Sequence, residues 1–221
     1  MIKISELYDL DHTLAKDYLK NYEYPWEALE GIGSMISRLG KTLSSDFEDK
    51  GNEIWIHKSA SVATTASLNG PCIIGADTEV RPGAFIRGNA LVGENCVVGN
   101  STELKNVILF DHVQVPHYNY VGDSILGYYS HMGAGSITSN VKSDKSLVII
   151  KDHKSGEKYE TGRKKVGAML GNYVEVGCNS VLNPGTVIGC HTNIYPLSCV
   201  RGVIPADSIY KDQQKIVLRK K

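Results

Sequence analysis

The chain has 221 residues, 42% of them hydrophobic, enough to bury a core, and one elongated domain with an N-terminal attachment is the expected organisation. Its 24 Lys and Arg balance 24 Asp and Glu, which excludes the overall positive field that draws a protein to nucleic acid or an anionic membrane surface and leaves only local anion binding. Five cysteines, an odd number, argue against a disulfide framework and for a reducing compartment; with no secretory h-region in MIKISELYDLDHTL and no segment as long as a membrane span, a cytoplasmic location is expected.

Residues 1–50 read as a helical cap, with Trp26, Leu29, Ile32, Ile36 and Leu39 at helical spacing behind Pro25, a favourable first-turn residue. From Ile56 the pattern changes to a strict hexad: Ile56, Val62, Leu68, Ile74, Val80, Ile86, Val92, Val98 and Leu104. Four places after each aliphatic stands a small residue, Ala60, Ala66, Cys72, Thr78, Ala84, Ala90, Cys96 and Thr102, and Ile108 alone breaks that rule. A six-residue period of this kind predicts short strands that turn corners and stack as parallel coils, the large aliphatic filling a prism and the small residue leaving room at its corner. An N-terminal cap over one end of the stack fits the need to cover unpaired strand edges. Cys72 and Cys96 then point inward as packed thiols.

Beyond Leu104 the register slips twice by one residue, through Leu109, Val115, Val121, Leu126 and Met132, which predicts small bulges in the coil wall of the kind that flank functional sites. Residues 141–165 leave the hexad altogether: Leu147, Val148, Ile149 and Ile150, a Ser155-Gly156 turn, then Lys158 to Lys165 read as an extruded hairpin. It carries Lys142, Lys145, Lys151, Lys154, Lys158, Arg163, Lys164 and Lys165 against four acids, either a candidate phosphate contact or a solvated loop. The hexad resumes at Leu170, Val176, Leu182, Ile188, Ile194 and Val200. The expected division is a cap over 1–50, a β-helix over 51–205 with the hairpin at 141–165, and a C-terminal tail over 206–221.

Between Arg81 and Asn140 the wall carries polar residues that a repetitive core does not need: Arg81, Lys105, His117, Tyr120, Asp123, His131 and Asn140. The runs RPGA at 81–84, GNSTELKN at 99–106, HYNYVGD at 117–123 and GAGSITSN at 133–140 resemble, in order and spacing, the acetyltransferase half of the bacterial bifunctional enzyme that makes UDP-N-acetylglucosamine. TGRKKVGAMLG at 161–171 and EYPWEAL at 23–29 are closer to the archaeal sugar-1-phosphate nucleotidyltransferases with a similar C-terminal acetyltransferase domain. The resemblance implies an all-β left-handed parallel β-helix, the handedness coming from the likeness and not from the period. It also implies a homotrimer with active sites at subunit junctions, and transfer of acetyl from acetyl-CoA to the amine of glucosamine 1-phosphate or a close relative.

Carried over residue by residue, the likeness makes His117 the general base, Asn140 a partner of the reacting centre, Arg81 and Lys105 the phosphate holders and Tyr120 a wall of the sugar pocket. An imidazole suits the first task, since an amine must lose a proton to attack a thioester at neutral pH. A guanidinium fork and an ammonium suit the second. Backbone N–H groups of Gly133, Ala134 and Gly135 are expected to donate to the thioester oxygen. Ala134, Cys178, Pro196 and Arg201 are the expected CoA contacts, and a subunit junction is expected to combine His117 with a neighbour's Ala168 to Cys178 and a third chain's Arg201. His131 stands where the bacterial enzymes have a substrate-contacting asparagine and Val141 where they have a tyrosine, so the amino sugar stays open, and Lys142 or Lys145 is the candidate for a cation their shorter loop supplies.

Plainer roles stand beside these. Without its flanking motif His117 reads as a surface or interface residue, and His131 reads as a spectator as readily as a substrate contact; Arg81 and Lys105 read as ion-pair members, Asn140 as a turn cap and Tyr120 as an interface aromatic. A zinc site like that of trimeric β-helix carbonic anhydrases would use His112 and His117, but Ala76 stands near the third position and no metal is expected. No Gly-rich pyrophosphorylase loop precedes the hexads, which predicts a stand-alone acetyltransferase. The alternatives are a non-catalytic trimeric scaffold or regulator of a separate nucleotidyltransferase, and an acyltransferase for another amino sugar.

Overall fold

Hexads become coils because an extended run of five residues ends at one that can turn. In the computed structural model, which describes residues 2–212 and 215–219, corner residues adopt positive φ, and Asp, Asn and Gly fill many of these places, among them Asp77, Asn89, Asn95, Gly83 and Gly135. Three strands make one coil: Ile54 pairs with Cys72 and Cys72 with Ala90, all in parallel. The result is a parallel β-solenoid with three faces. The first begins with Ile54–His57, the second with Ser61–Val62 and the third with Ser67–Leu68. Inward hexad residues such as Ile74, Val92, Leu104, Leu126 and Ile188 are fully buried, and Cys72 and Cys96 lie among them.

The two register slips are tight corners, not the expected bulges. Strands Glu103–Leu109 and Tyr120–Leu126 run from the third face onto the first without interruption, pairing with each other at Lys105–Gly122 and again at Val107–Ser124. Each turns on a single left-handed residue, Asn106 at φ 56° and Asp123 at φ 49°. A bulge adds a residue; these five-residue steps remove one, and the strand bends instead of stopping.

Outward residues of the first face are Trp55, Ile73, Leu91, Ile108, Ile125, Met169, Val187 and Val203, an apolar stripe that is nevertheless buried. The N-terminal segment covers much of it. Gly40, at the end of helix Ile32–Gly40, abuts the Trp55 ring, the Tyr8 hydroxyl donates to the Ile125 carbonyl at 3.3 Å, and the Leu7 carbonyl accepts from Asn172 N–H at 3.0 Å. The expected end cap is therefore corrected: residues 2–43 lie along the solenoid. Each covered aliphatic is worth about 1.5–3 kcal/mol relative to exposure. Ile108 breaks the small-residue rule because the slip turns it outward under this segment. The end edges are closed by antiparallel strands, Phe47–Asp49 on Ile54–His57 and Lys215–Leu218 on Ser208–Asp212.

Residues 141–165 project at the edge between the third and first faces. An antiparallel bridge from Val141 to Lys165 closes the insertion, and Ile149–Lys151 pairs with Lys158–Glu160 beyond it. Val148 and Ile150 are buried against Gly185, while Leu147 and Ile149 face out.

Candidate functional site

The third face carries most of the candidate residues, distributed along its two edges. At the edge shared with the first face, Asp123 is the hub. Its carboxylate accepts from Lys105 Nζ at 3.0 and 3.1 Å, from Asn106 Nδ2 at 3.0 Å and from Asn140 Nδ2 at 2.6 Å. The Asp123 side chain is only 4% exposed, whereas Lys105 is 26% exposed and keeps donors toward solvent. Asn106 also donates to the Leu29 carbonyl at 3.1 Å, tying the site to the N-terminal segment. Asp123 and Asn106 were not assigned roles from sequence; the signal available was the register slip that each of them makes.

Asn140 Nδ2 also donates to the Tyr120 hydroxyl at 3.1 Å. That geometry requires Gly122, because a Cβ there would stand 2.4 Å from the Tyr120 oxygen and 3.0 Å from Asn140 Nδ2. Burial, then the charges of Asp123 and Glu103, push the Tyr120 phenol above its usual pKa. The phenol therefore stays protonated at neutral pH, accepting from Asn140 while its own O–H is available to a ligand.

At the opposite edge, shared with the second face, one corner position repeats up the stack. Tyr118 N–H donates to the Asn100 carbonyl, Gly135 N–H to His117, Asn179 N–H to Ala134, and Leu197 N–H to Cys178. Asn100, His117, Ala134, Cys178 and Pro196 thus form a column, with coils spaced about 4.8 Å apart. His117 is exposed, and three of the four expected CoA residues stand above it on its own chain. Of the three expected oxyanion donors, Gly133 N–H is used by the Val176 carbonyl at 2.7 Å and Gly135 N–H by the His117 carbonyl at 3.0 Å. Those two are corrected as structural, because parallel coil stacking consumes them. Ala134 N–H is the unengaged member among the described residues.

Several expected groupings separate. Arg81 lies on the His117 edge two coils below, with its Nε and Nη2 donating to Glu79 at 3.0 and 2.9 Å, so one chain does not bring it beside Lys105. His131 sits on the second face, its Nδ1 2.8 Å from Glu175, apart from Tyr120 and Asn140. Arg201 is on the far edge from Cys178 and Pro196, near His153 of the hairpin. Ala168 is fully buried on the first face and unavailable to a neighbour. Lys142 is turned into its own loop by Asp144 and Ser146. His112 lies in the turn before the strand Gln114–His117, its ring stacked on Tyr129 at 4.4 Å.

The chain is similar to several known proteins. The family model described as the GMPPB C-terminal domain matches residues 68–194, more than half of the chain. The "Bifunctional protein GlmU" of Methanococcus maripaludis is 30% identical over 224 residues, covering 99% of this chain and 54% of that protein. The "Bifunctional sugar-1-phosphate nucleotidylyltransferase/acetyltransferase" of Sulfurisphaera tokodaii is 28% identical over 225 residues, covering 93% of this chain and 54% of that one. The chain spans about half the length of these curated relatives. Among solved structures, a putative acetyltransferase of Bacillus cereus matches at 16% identity with a TM-score of 0.44, over 78% of this chain and 81% of that one.

Proposed function

Since the chain belongs to the family of GMPPB C-terminal domains and is similar along 99% of its length to a GlmU protein, we propose that it transfers acetyl from acetyl-CoA to the amine of an amino-sugar 1-phosphate. The observation that carries this reading is the division of the third face: a hydrogen-bonded polar cluster of Lys105, Asp123, Asn140 and Tyr120 at one edge, and His117 below Ala134, Cys178 and Pro196 at the other. The first suits a phosphorylated sugar. The second offers a base next to a shallow, small-residue column along which CoA lies.

In the proposed reaction, His117 takes a proton from the amine as its nitrogen attacks the thioester carbonyl. A C–N bond forms, and the oxyanion of the tetrahedral intermediate is met by Ala134 N–H, one coil above the imidazole. Collapse breaks the C–S bond, and the CoA thiolate recovers the proton from the imidazolium. Tyr120 O–H and Lys105 orient the acceptor.

Within one chain His117 and Asn140 stand at opposite edges of a face, a strand of about five residues and roughly 15 Å apart. Both act at one amine if a second chain packs against the third face, which supports a homotrimer with sites at its junctions. Exposed Phe85, Tyr118, Tyr195 and Leu197 along this face and its edge supply apolar surface for that packing, Leu197 being 80% exposed. A cytoplasmic setting fits substrates of this kind.

The test is CoA-thiol release from acetyl-CoA with glucosamine 1-phosphate, galactosamine 1-phosphate and glucosamine, comparing wild type with His117→Ala. Release that needs a phosphorylated amine and His117, with turnover lost more than KM is raised, is the expected result. No release with any acceptor from a folded trimer overturns the enzymatic reading in favour of a scaffold. A hydrodynamic mass equal to one 24.2 kDa chain overturns the trimer.

A further inference from the structure

Lys105 faces a second group of residues besides Asp123. Where the hairpin returns to the coil at the Val141–Lys165 bridge, Arg163, Lys164 and Lys165 reach the rim of a cleft of about 460 Å³ whose opposite wall is Lys105, Asn106 and Asp123. Two of its four cations are matched: Lys105 by Asp123 at 3.0 Å, and Arg163 by Glu30 at 3.2 Å. Lys164 and Lys165 have no carboxylate partner among the described residues. Arg163 Nε is buried without an acceptor, a donor that costs free energy until an acceptor reaches it. Two lysines without a carboxylate partner and the Arg163 guanidinium line one concave site with Lys105, and a phosphate, with several acceptor oxygens and up to two negative charges, complements that set.

We propose that Arg163, Lys164 and Lys165 together with Lys105 bind the phosphate of the acceptor sugar, so that the hairpin contributes the cations of the anion site at this edge of the chain. This rests on the amino-sugar phosphate reading above. The hairpin cations share the cleft with Lys105 within a single chain. Discrimination between phosphorylated and free amino sugars is then shared by the insertion and Lys105 of the coil wall. The bridge at Lys165 is a main-chain contact, so its side chain can be removed without opening the insertion.

The experiment is calorimetric titration of the full chain with inorganic phosphate and with glucosamine 1-phosphate, for wild type, Lys164→Ala/Lys165→Ala, and a remote Lys41→Ala/Lys58→Ala pair that makes the same charge change. Removing the cleft lysines is expected to weaken both ligands roughly 10–100-fold, and the remote pair less than about twofold. In the thiol-release assay the cleft variant is expected to raise KM for the phosphorylated acceptor by a similar factor, with little change in turnover at saturation. Equal affinities for wild type and a cleft variant that retains the wild-type circular dichroism spectrum overturn the proposal, even if acetyl transfer is intact. Phosphate binding that depends on the cleft lysines, in a protein that acetylates no amine, keeps the anion site and discards the acceptor reading.

Discussion

Replacing Asp123 with Ala tests whether the polar edge is a single unit. The carboxylate accepts from Lys105, Asn106 and Asn140, so its removal strands one amide N–H of Asn106 and one of Asn140, while their other hydrogens keep the Leu29 carbonyl and the Tyr120 hydroxyl. An unsatisfied buried N–H costs about 1–3 kcal/mol. Lys105 is 26% exposed and can turn to water, so its share is at most about 1 kcal/mol. Ala at the left-handed φ of 49° adds strain of order 1 kcal/mol that Asp and Asn tolerate better. The sum is about 3–8 kcal/mol, a large fraction of the ~5–15 kcal/mol that holds a typical domain together. Asp123→Asn, which keeps one acceptor oxygen and the backbone preference, is expected to lose about half as much. Urea denaturation at fixed protein concentration measures both, since any subunit association feeds into the apparent stability. A loss below ~1 kcal/mol for Asp123→Ala would refute the hub, because no arrangement leaving those amides unsatisfied is that mild.

Gly122→Ala places a methyl 2.4 Å from the Tyr120 oxygen; stability is expected to change by less than about 1 kcal/mol, because the ring can swing outward, while acceptor KM rises several-fold. An unchanged KM in steady-state kinetics would detach Tyr120 from the pocket. Burial pushes the Cys72 and Cys96 thiols up to about 12, and Cys178 and Cys199 are exposed; Ellman's reagent is expected to titrate the exposed pair quickly and the buried pair only after unfolding, and early modification of Cys96, read by peptide mass, would contradict the packed core. Burial also raises the Asp111 carboxyl above its usual value. The folded state therefore holds that proton more tightly than the unfolded state, and this residue's contribution to stability falls as pH rises through and above the ordinary carboxylate range. Asp111→Asn is expected to gain stability relative to wild type across that window, its oxygen still accepting from Glu94 N–H as Asp111 does at 2.8 Å; a difference in thermal midpoint independent of pH would refute this.

The solenoid was legible because its signal is local and repeated. An inward aliphatic every sixth residue needs no distant partner to be recognised, and the departures from the pattern at Asn106 and Asp123 coincided with the polar edge of the third face. What the period hid was the meaning of each departure. Ile108 looked like an error in the small-residue rule, yet it belongs to an outward stripe running from Trp55 to Val203 that became visible only when the coils were stacked. That stripe draws the N-terminal segment along the solenoid's side, which helical spacing within residues 1–50 could not indicate.

For the site, residue types pointed to Lys105, His117, Tyr120 and Asn140, and sequence alone determined the chemistry available: a base, cations, an amide and a phenol set on a coiled wall. Only the tertiary structure decided their company. It put Asp123 among Lys105, Asn106 and Asn140, set His117 beneath Ala134 and Cys178, moved Arg81 to the far edge, and folded Arg163 to Lys165 back over Lys105. The physical reason is that a hexad specifies which side of a strand a residue occupies, whereas adjacency between coils depends on how many residues each corner consumes and where an insertion returns.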